Sequence, residues 1–127
     1  AQYQVKLLLN AEAGSCAELA DGLHISSQRL RVCHERPVSI DTLFGASCHN
    51  AVEVQHALSV GADYILLSPV LPTPSHPDAI TLGWEGLAAL LPLCPVPVFA
   101  LGGLGDNQLR TAKSLGVFGI AGIAAWW

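Results

Sequence analysis

Pro97-Val98-Phe99-Ala100-Leu101-Gly102-Gly103-Leu104 is an apolar run that stops at two glycines and leads into a helical pattern opened by Asp106. The run is short, apolar at nearly every position and free of alternation, as expected of a parallel strand covered on both faces. Paired glycines let backbone N–H groups approach an anion closely, and a helix start just beyond them adds partial positive charge. Strand, turn and helix start together predict a phosphate-holding corner at Gly102 and Gly103. The plainer alternative is that the two glycines only make a tight turn.

Working outward, similar runs recur at Val5 to Leu9, Gly22 to Ile25, Phe44 to Ser47, Tyr64 to Leu67 and Gly119 to Ile123. Helical patterns lie between them. Asn50 is read as the cap of a helix through Val60, with Val54, Ala57 and Leu58 on its inner face and Gly61 as its stop. Asp106 is read as the cap of a helix ending near Gly116 that buries Leu109, Ala112 and Leu115 and leaves Arg110 and Lys113 in water. Ser15 to Ala20 and Trp84 to Leu91 carry fainter helical patterns. Such alternation predicts an α/β fold, and the pattern alone leaves open a (β/α) barrel or an open doubly wound sheet. In both, ligands gather at the carboxyl ends of the strands. The candidate positions are therefore Asn10, Ser26, Ser47 with His49, Ser68 to His76, Gly102 with Gly103, and Ala124.

A chain of 127 residues that is 51% hydrophobic and 13% charged is expected to form one domain spanning 1–127. Six Lys and Arg against ten Asp and Glu give a net charge of −4. With no basic run to neutralise a phosphate backbone, nucleic acid and anionic membrane are not expected partners. The apolar stretches are strand-sized, so no membrane span or secretory leader is expected and a cytoplasmic location follows. Cys16, Cys33, Cys48 and Cys94 form no CxxC pair and are read as free structural thiols of a reducing compartment. The adjacent pairs Cys33-His34 and Cys48-His49 invite zinc, but neighbours on a strand point to opposite faces and cannot easily share an ion. No metal site is expected.

Ala20-Asp21-Gly22-Leu23-His24-Ile25, Gly45-Ala46-Ser47-Cys48-His49, Gly61-Ala62-Asp63-Tyr64, Ser68-Pro69-Val70-Leu71-Pro72-Thr73 and Ala100-Leu101-Gly102-Gly103-Leu104 resemble, in order, successive strand motifs of thiamine phosphate synthase and its relative the thiazole tautomerase. The resemblance implies a TIM-type (β/α) barrel, here incomplete at about six β/α units, with these runs as its third to eighth strands and the first two absent. It implies a fragment of a longer chain, because there is no Met and a closing helix would normally follow the last strand. Leu67 to Pro77 followed by Leu82-Gly83-Trp84-Glu85-Gly86 resembles in particular the synthase-like domain fused behind a Nudix hydrolase domain. A fused or associated Nudix partner is therefore expected, as is instability or pairing between copies of an open barrel.

Family synthases join a pyrimidine pyrophosphate to a thiazole phosphate with Mg²⁺ neutralising the leaving pyrophosphate. By resemblance Asn10 is retained, but Ala11 and Arg29 stand where the two metal-ligating aspartates would be, and neither gives a hard cation an oxygen. Arg29 is instead a candidate for direct phosphate contact. Thr73 matches the phosphate loop, Ser75 keeps a hydroxyl, and His76 replaces a lysine, although the prolines around them could serve only to stiffen the loop. Pro69 occupies the position of the tautomerase's catalytic histidine, and Ala124 that of a phosphate-holding serine, leaving backbone donors from Gly102, Gly103 and Gly122. His49 is either a ligand contact or a hydrogen-bonded structural histidine, and His24, inside a strand, is expected to pack in or near the core. His34 and His56 read as surface residues, and Trp84, Trp126 and Trp127 as packing residues.

Two functions compete. One is a domain that binds a phosphorylated ligand through Gly102, Gly103, Thr73, Ser75 and Gly122, with Asn10, Arg29, Ser47, His49 and His76 as further contacts. It would be degenerate in magnesium-dependent coupling, need no cofactor and be accessory to a Nudix hydrolase. The other is an active enzyme of thiamine biosynthesis, either synthase or tautomerase.

Overall fold

The structure, a computed structural model, describes residues 5–10, 20–74 and 77–122. Among the described residues six parallel strands form one sheet: β1 (Leu8–Asn10), β2 (Gly22–Ile25), β3 (Leu43–Cys48), β4 (Tyr64–Leu67), β5 (Val98–Leu101) and β6 (Gly119–Ala121). They pair strictly in chain order. A doubly wound sheet reverses its order at a switch point, whereas a sheet that only advances curls like part of a barrel. The sequential order therefore removes the doubly wound alternative. Among the described residues β1 and β6 are the two edges and do not pair with each other.

The helices are α1 (Ser27–Leu30), α2 (Ala51–Ser59), α3 (Gly83–Leu90), continued by a 3₁₀ turn at Leu91–Leu93, and α4 (Asp106–Leu115). Asn50 caps α2 as predicted: its side-chain oxygen accepts from Glu53 N at 2.9 Å. Glu53 is itself buried and takes His49 N at 2.8 Å, so a donor before the helix is satisfied as well. Gly61, at φ +88, leaves the helix through the left-handed region.

Two expectations about α4 need correction. The cap is Gly105, whose N–H is held by Gln108 Oε1 at 2.9 Å, and Asp106 is the first helical residue, where its carboxylate suits the helix dipole. Leu109 is exposed, while Ala112 is fully buried and Leu115 packs partly against the core. The inner stripe runs Gln108, Ala112, Leu115, and Leu109 lies about 100° round the helix from it. The helix expected at Ser15 to Ala20 lies almost wholly outside the described residues, as do Cys16, Ile123, Trp126 and Trp127. Trp84 packs against the core, as expected.

Burial also departs from the two-sided covering expected of the strands. Leu23, Ile25, Phe44, Ala46, Cys48, Ile65, Leu67, Val98 and Ala100 are all at most 4% exposed and form the core under the helices. Their alternates His24, Leu43, Ser47, Tyr64, Leu66, Phe99 and Leu101 are only half-buried. Right-handed crossovers in an advancing sheet put every helix on one side, so the other side faces a hollow that the described residues do not close. Apolar sequence at both alternations suits a strand whose second face lines a barrel interior.

At the amino-terminal end of the sheet, Arg36 ties the loop before β3 to the turn before β4. Its guanidinium donates to the carbonyls of Gly61 and Thr42 and to Asp63 Oδ2 at 2.9 Å, and it lies 5.7 Å over the Phe44 ring. Cys33, Cys48 and Cys94 are free thiols, and burial pushes Cys48 up to about 12. No helix among the described residues is long and apolar enough to cross a membrane.

Candidate functional site

Pairing register sets Asn10, His24, Gly45 and Tyr64 in one row across β1 to β4 on the concave face. Ser47 lies two residues above Gly45 on β3, towards the carboxyl ends. Three of these residues, Tyr64, His24 and Ser47, form a hydrogen-bonded group. Tyr64 Oη lies 2.7 Å from His24 Nδ1, and His24 Nε2 lies 2.8 Å from Ser47 Oγ. The imidazole and phenol rings are stacked with centroids 5.7 Å apart, and Phe99 meets Tyr64 edge-on at 5.8 Å.

Gly45 makes this possible. A Cβ there would run into the Tyr64 ring, so the phenol reaches from β4 to β2 only because β3 carries a glycine where the two lines cross. Burial holds the His24 imidazole below its ordinary pKa of 6.5 and pushes the Tyr64 phenol up to about 12, so both are neutral near pH 7. The sequence carried a signal for Tyr64 in that strand glycine, which the reading took only as part of a motif.

The rim above is built from loops at the carboxyl ends of the strands. His49, just past β3, bonds through Nδ1 to the Ser68 carbonyl at 2.6 Å. A carbonyl only accepts, so Nδ1 carries the proton, and in the neutral ring Nε2 is left as the basic nitrogen. Arg29 is exposed on α1, whose first turn is capped by Ser26 Oγ from Arg29 N at 3.3 Å. Thr73 is half-buried in the β4 to α3 connection, and Gly122 is half-buried just past β6. Ser75, His76, Ala11 and Ala124 lie outside the described residues.

Gly102 and Gly103 adopt positive φ, +114 and +65, and pack against the backbone that follows β4. A Cβ on Gly102 would come within 2.7 Å of Pro69 Cα, and one on Gly103 within 2.6 Å of the Pro72 carbonyl oxygen. Leu71 N donates to Gly102 O at 3.0 Å. Their lack of side chains thus lets two rim loops touch, which is compatible with either reading of the pair. A groove of about 430 Å³ lies elsewhere, at the amino-terminal ends of β5 and β6, lined by Leu91, Cys94, Val98, Lys113 and Phe118 among others. Its volume would admit a small ligand, but its apolar lining offers one cation and none of the polar row. The concave face is the better candidate, because the convergent polar groups are there.

Residues 1–126 match the family model described as thiamine monophosphate synthase. The chain belongs to the thiamine monophosphate synthase family. It is 33% identical to a thiamine-phosphate synthase of Chloroflexus aurantiacus over 84% of this chain and 50% of that one. It is 32% identical to one of Methanococcus vannielii over 84% and 52%. Among solved structures, the thiamine phosphate pyrophosphorylase of Pyrococcus furiosus superposes with a TM-score of 0.70 at 25% identity, covering 91% of this chain and 55% of that one. The chain therefore spans about half the length of these relatives.

A magnesium ion would have to be held by the donors of this face. On the described concave face they are an amide, an imidazole, a hydroxyl and a phenol, all neutral, with the Arg29 guanidinium on the rim. Among the described residues no three His, Cys, Asp or Glu side chains converge. A hard divalent cation calls for carboxylate oxygen, and this donor set does not fit it.

Proposed function

We propose that this member of the thiamine-phosphate synthase family is a ligand-binding domain that takes a phosphorylated heterocycle or its pyrophosphate at the carboxyl ends of its strands, without magnesium-dependent coupling. The observation that carries this reading is the composition of the polar row. Asn10, His24, Ser47 and Tyr64 offer hydrogen bonds and no negative charge, and Arg29 stands where family resemblance expects a metal-binding aspartate. Neutral donors and a guanidinium suit an oxyanion, which is what a magnesium ion would otherwise bring with it. Thr73, Ser75, Gly102, Gly103 and Gly122 complete the phosphate end, with His49 and His76 as further contacts.

The six strands are then the third to eighth of a (β/α) barrel, whose remaining strands would close the hollow. The resemblance of Leu67 to Pro77 and Leu82 to Gly86 supports fusion to, or association with, a Nudix hydrolase in the cytoplasm, with this domain as its accessory. The second reading, an active enzyme, is favoured by the relatives, which are named as synthases. The tautomerase form of it is disfavoured by Pro69 at the base position, which has no side chain able to move a proton.

The experiment is an assay of the full-length protein with the pyrimidine diphosphate and the thiazole phosphate. Calorimetric titration of pyrophosphate runs beside it. Binding that survives EDTA, with no thiamine phosphate formed when Mg²⁺ is added, is expected. Steady Mg²⁺-dependent formation of thiamine phosphate would contradict the proposal.

A further inference from the structure

Ser47, His24 and Tyr64 have the outline of a nucleophilic triad, hydroxyl to imidazole to a third group, and their chemistry turns on which way the protons point. A nucleophilic serine donates its hydrogen to the imidazole. Here the ring is flanked by hydroxyls on both nitrogens, at 2.8 Å and 2.7 Å. A neutral imidazole has one donor and one acceptor nitrogen, so the two hydroxyls cannot both donate to it. A phenol is a stronger acid than an aliphatic hydroxyl and makes the better donor, even at the raised pKa of about 12 that burial gives Tyr64. Tyr64 Oη–H therefore donates to Nδ1, Nε2–H donates to Ser47 Oγ, and Ser47 keeps its own hydrogen for a third partner.

We propose that Tyr64 and His24 are positioning residues that fix Ser47 as a hydrogen-bond donor towards the mouth of the concave face, where it grips an oxyanion rather than attacking an electrophile. The framework is built for this. Gly45 clears the path of the phenol across β3, and Phe99 closes on the edge of the ring from β5. Glycine weakens a strand, and this one sits at the point where a side chain would cut the relay. For the identity of the anion the inference rests on the ligand-binding reading above. For the direction of the protons it does not.

Long-range ¹H–¹⁵N correlation spectra of the uniformly labelled chain at neutral pH read the His24 tautomer without any ligand. The Nε2–H form is expected, and in Tyr64→Phe the Nδ1–H form should gain population as Ser47 takes over the ring's lone pair. An Nδ1–H tautomer, or a doubly protonated ring, in the unsubstituted chain would overturn the proposal whether or not the variant folds. Titration with inorganic pyrophosphate in EDTA then reads the grip. Ser47→Ala is expected to weaken binding about tenfold, the weight of a hydrogen bond to a charged group, and Ser47→Thr to recover most of it. Equal affinity of Ser47→Ala and the unsubstituted chain would overturn the donor role. Failure of the unsubstituted chain to bind pyrophosphate would sink the ligand reading alone, because the tautomer is measured on free protein.

Discussion

Gly45 shows how one missing side chain decides a site. Its place in β3 is crossed by the Tyr64 ring, so Gly45→Ala must displace either the phenol or the strand. A loss of about 2 kcal/mol is expected from overpacking, read as a lower urea midpoint, together with loss of the Tyr64 to His24 contact in NMR spectra. His24 supplies a second prediction at this scale. Burial holds its folded pKa below 6.5, so the unfolded chain binds the proton more readily. Its contribution is complete above that value and is lost as pH falls from 6.5 towards the depressed folded value, below which both states are charged and the slope vanishes. Stability should therefore drop as pH falls through and below 6.5, and less so in His24→Gln, as followed by urea unfolding.

At the scale of elements, caps and turns govern how strands reach their loops. Asn50→Ala removes the acceptor for Glu53 N and is expected to cost about 1 kcal/mol, measurable as a lower thermal midpoint. Gly102→Ala joins a positive φ of +114 to a Cβ held 2.7 Å from Pro69 Cα, so more than about 2 kcal/mol should be lost. Most of these elements were legible in the sequence. Gly22 to Ile25, Tyr64 to Leu67 and Val98 to Leu101 were read to the residue, because apolar runs bounded by Gly, Pro, Ser or Asp leave little freedom. The four-residue α1 was not anticipated, since one turn is too short to show periodicity. Leu109 was misjudged because three- and four-residue spacings both fit the stripe, and only contact with the sheet picks the inner face.

Over the whole molecule, an advancing parallel sheet puts its helices on one side and its polar row on the other. Motif order made the synthase-like architecture legible. The relay of Tyr64, His24 and Ser47 was not, because contact across three strands depends on register, which one-dimensional spacing does not carry. Two unpaired edges and a half-buried apolar wall among the described residues also predict self-association of the isolated chain. Sedimentation at rising concentration should show it, and a monomer throughout would contradict it. The central claim, that neutral donors on the concave face hold an oxyanion unaided by divalent ions, is tested most directly by backbone NMR titration with pyrophosphate in EDTA. Shifts should gather at His24, Ser47, Thr73 and Gly102 to Leu104. Shifts confined to the groove around Lys113 and Phe118, or appearing only once Mg²⁺ is added, would contradict it.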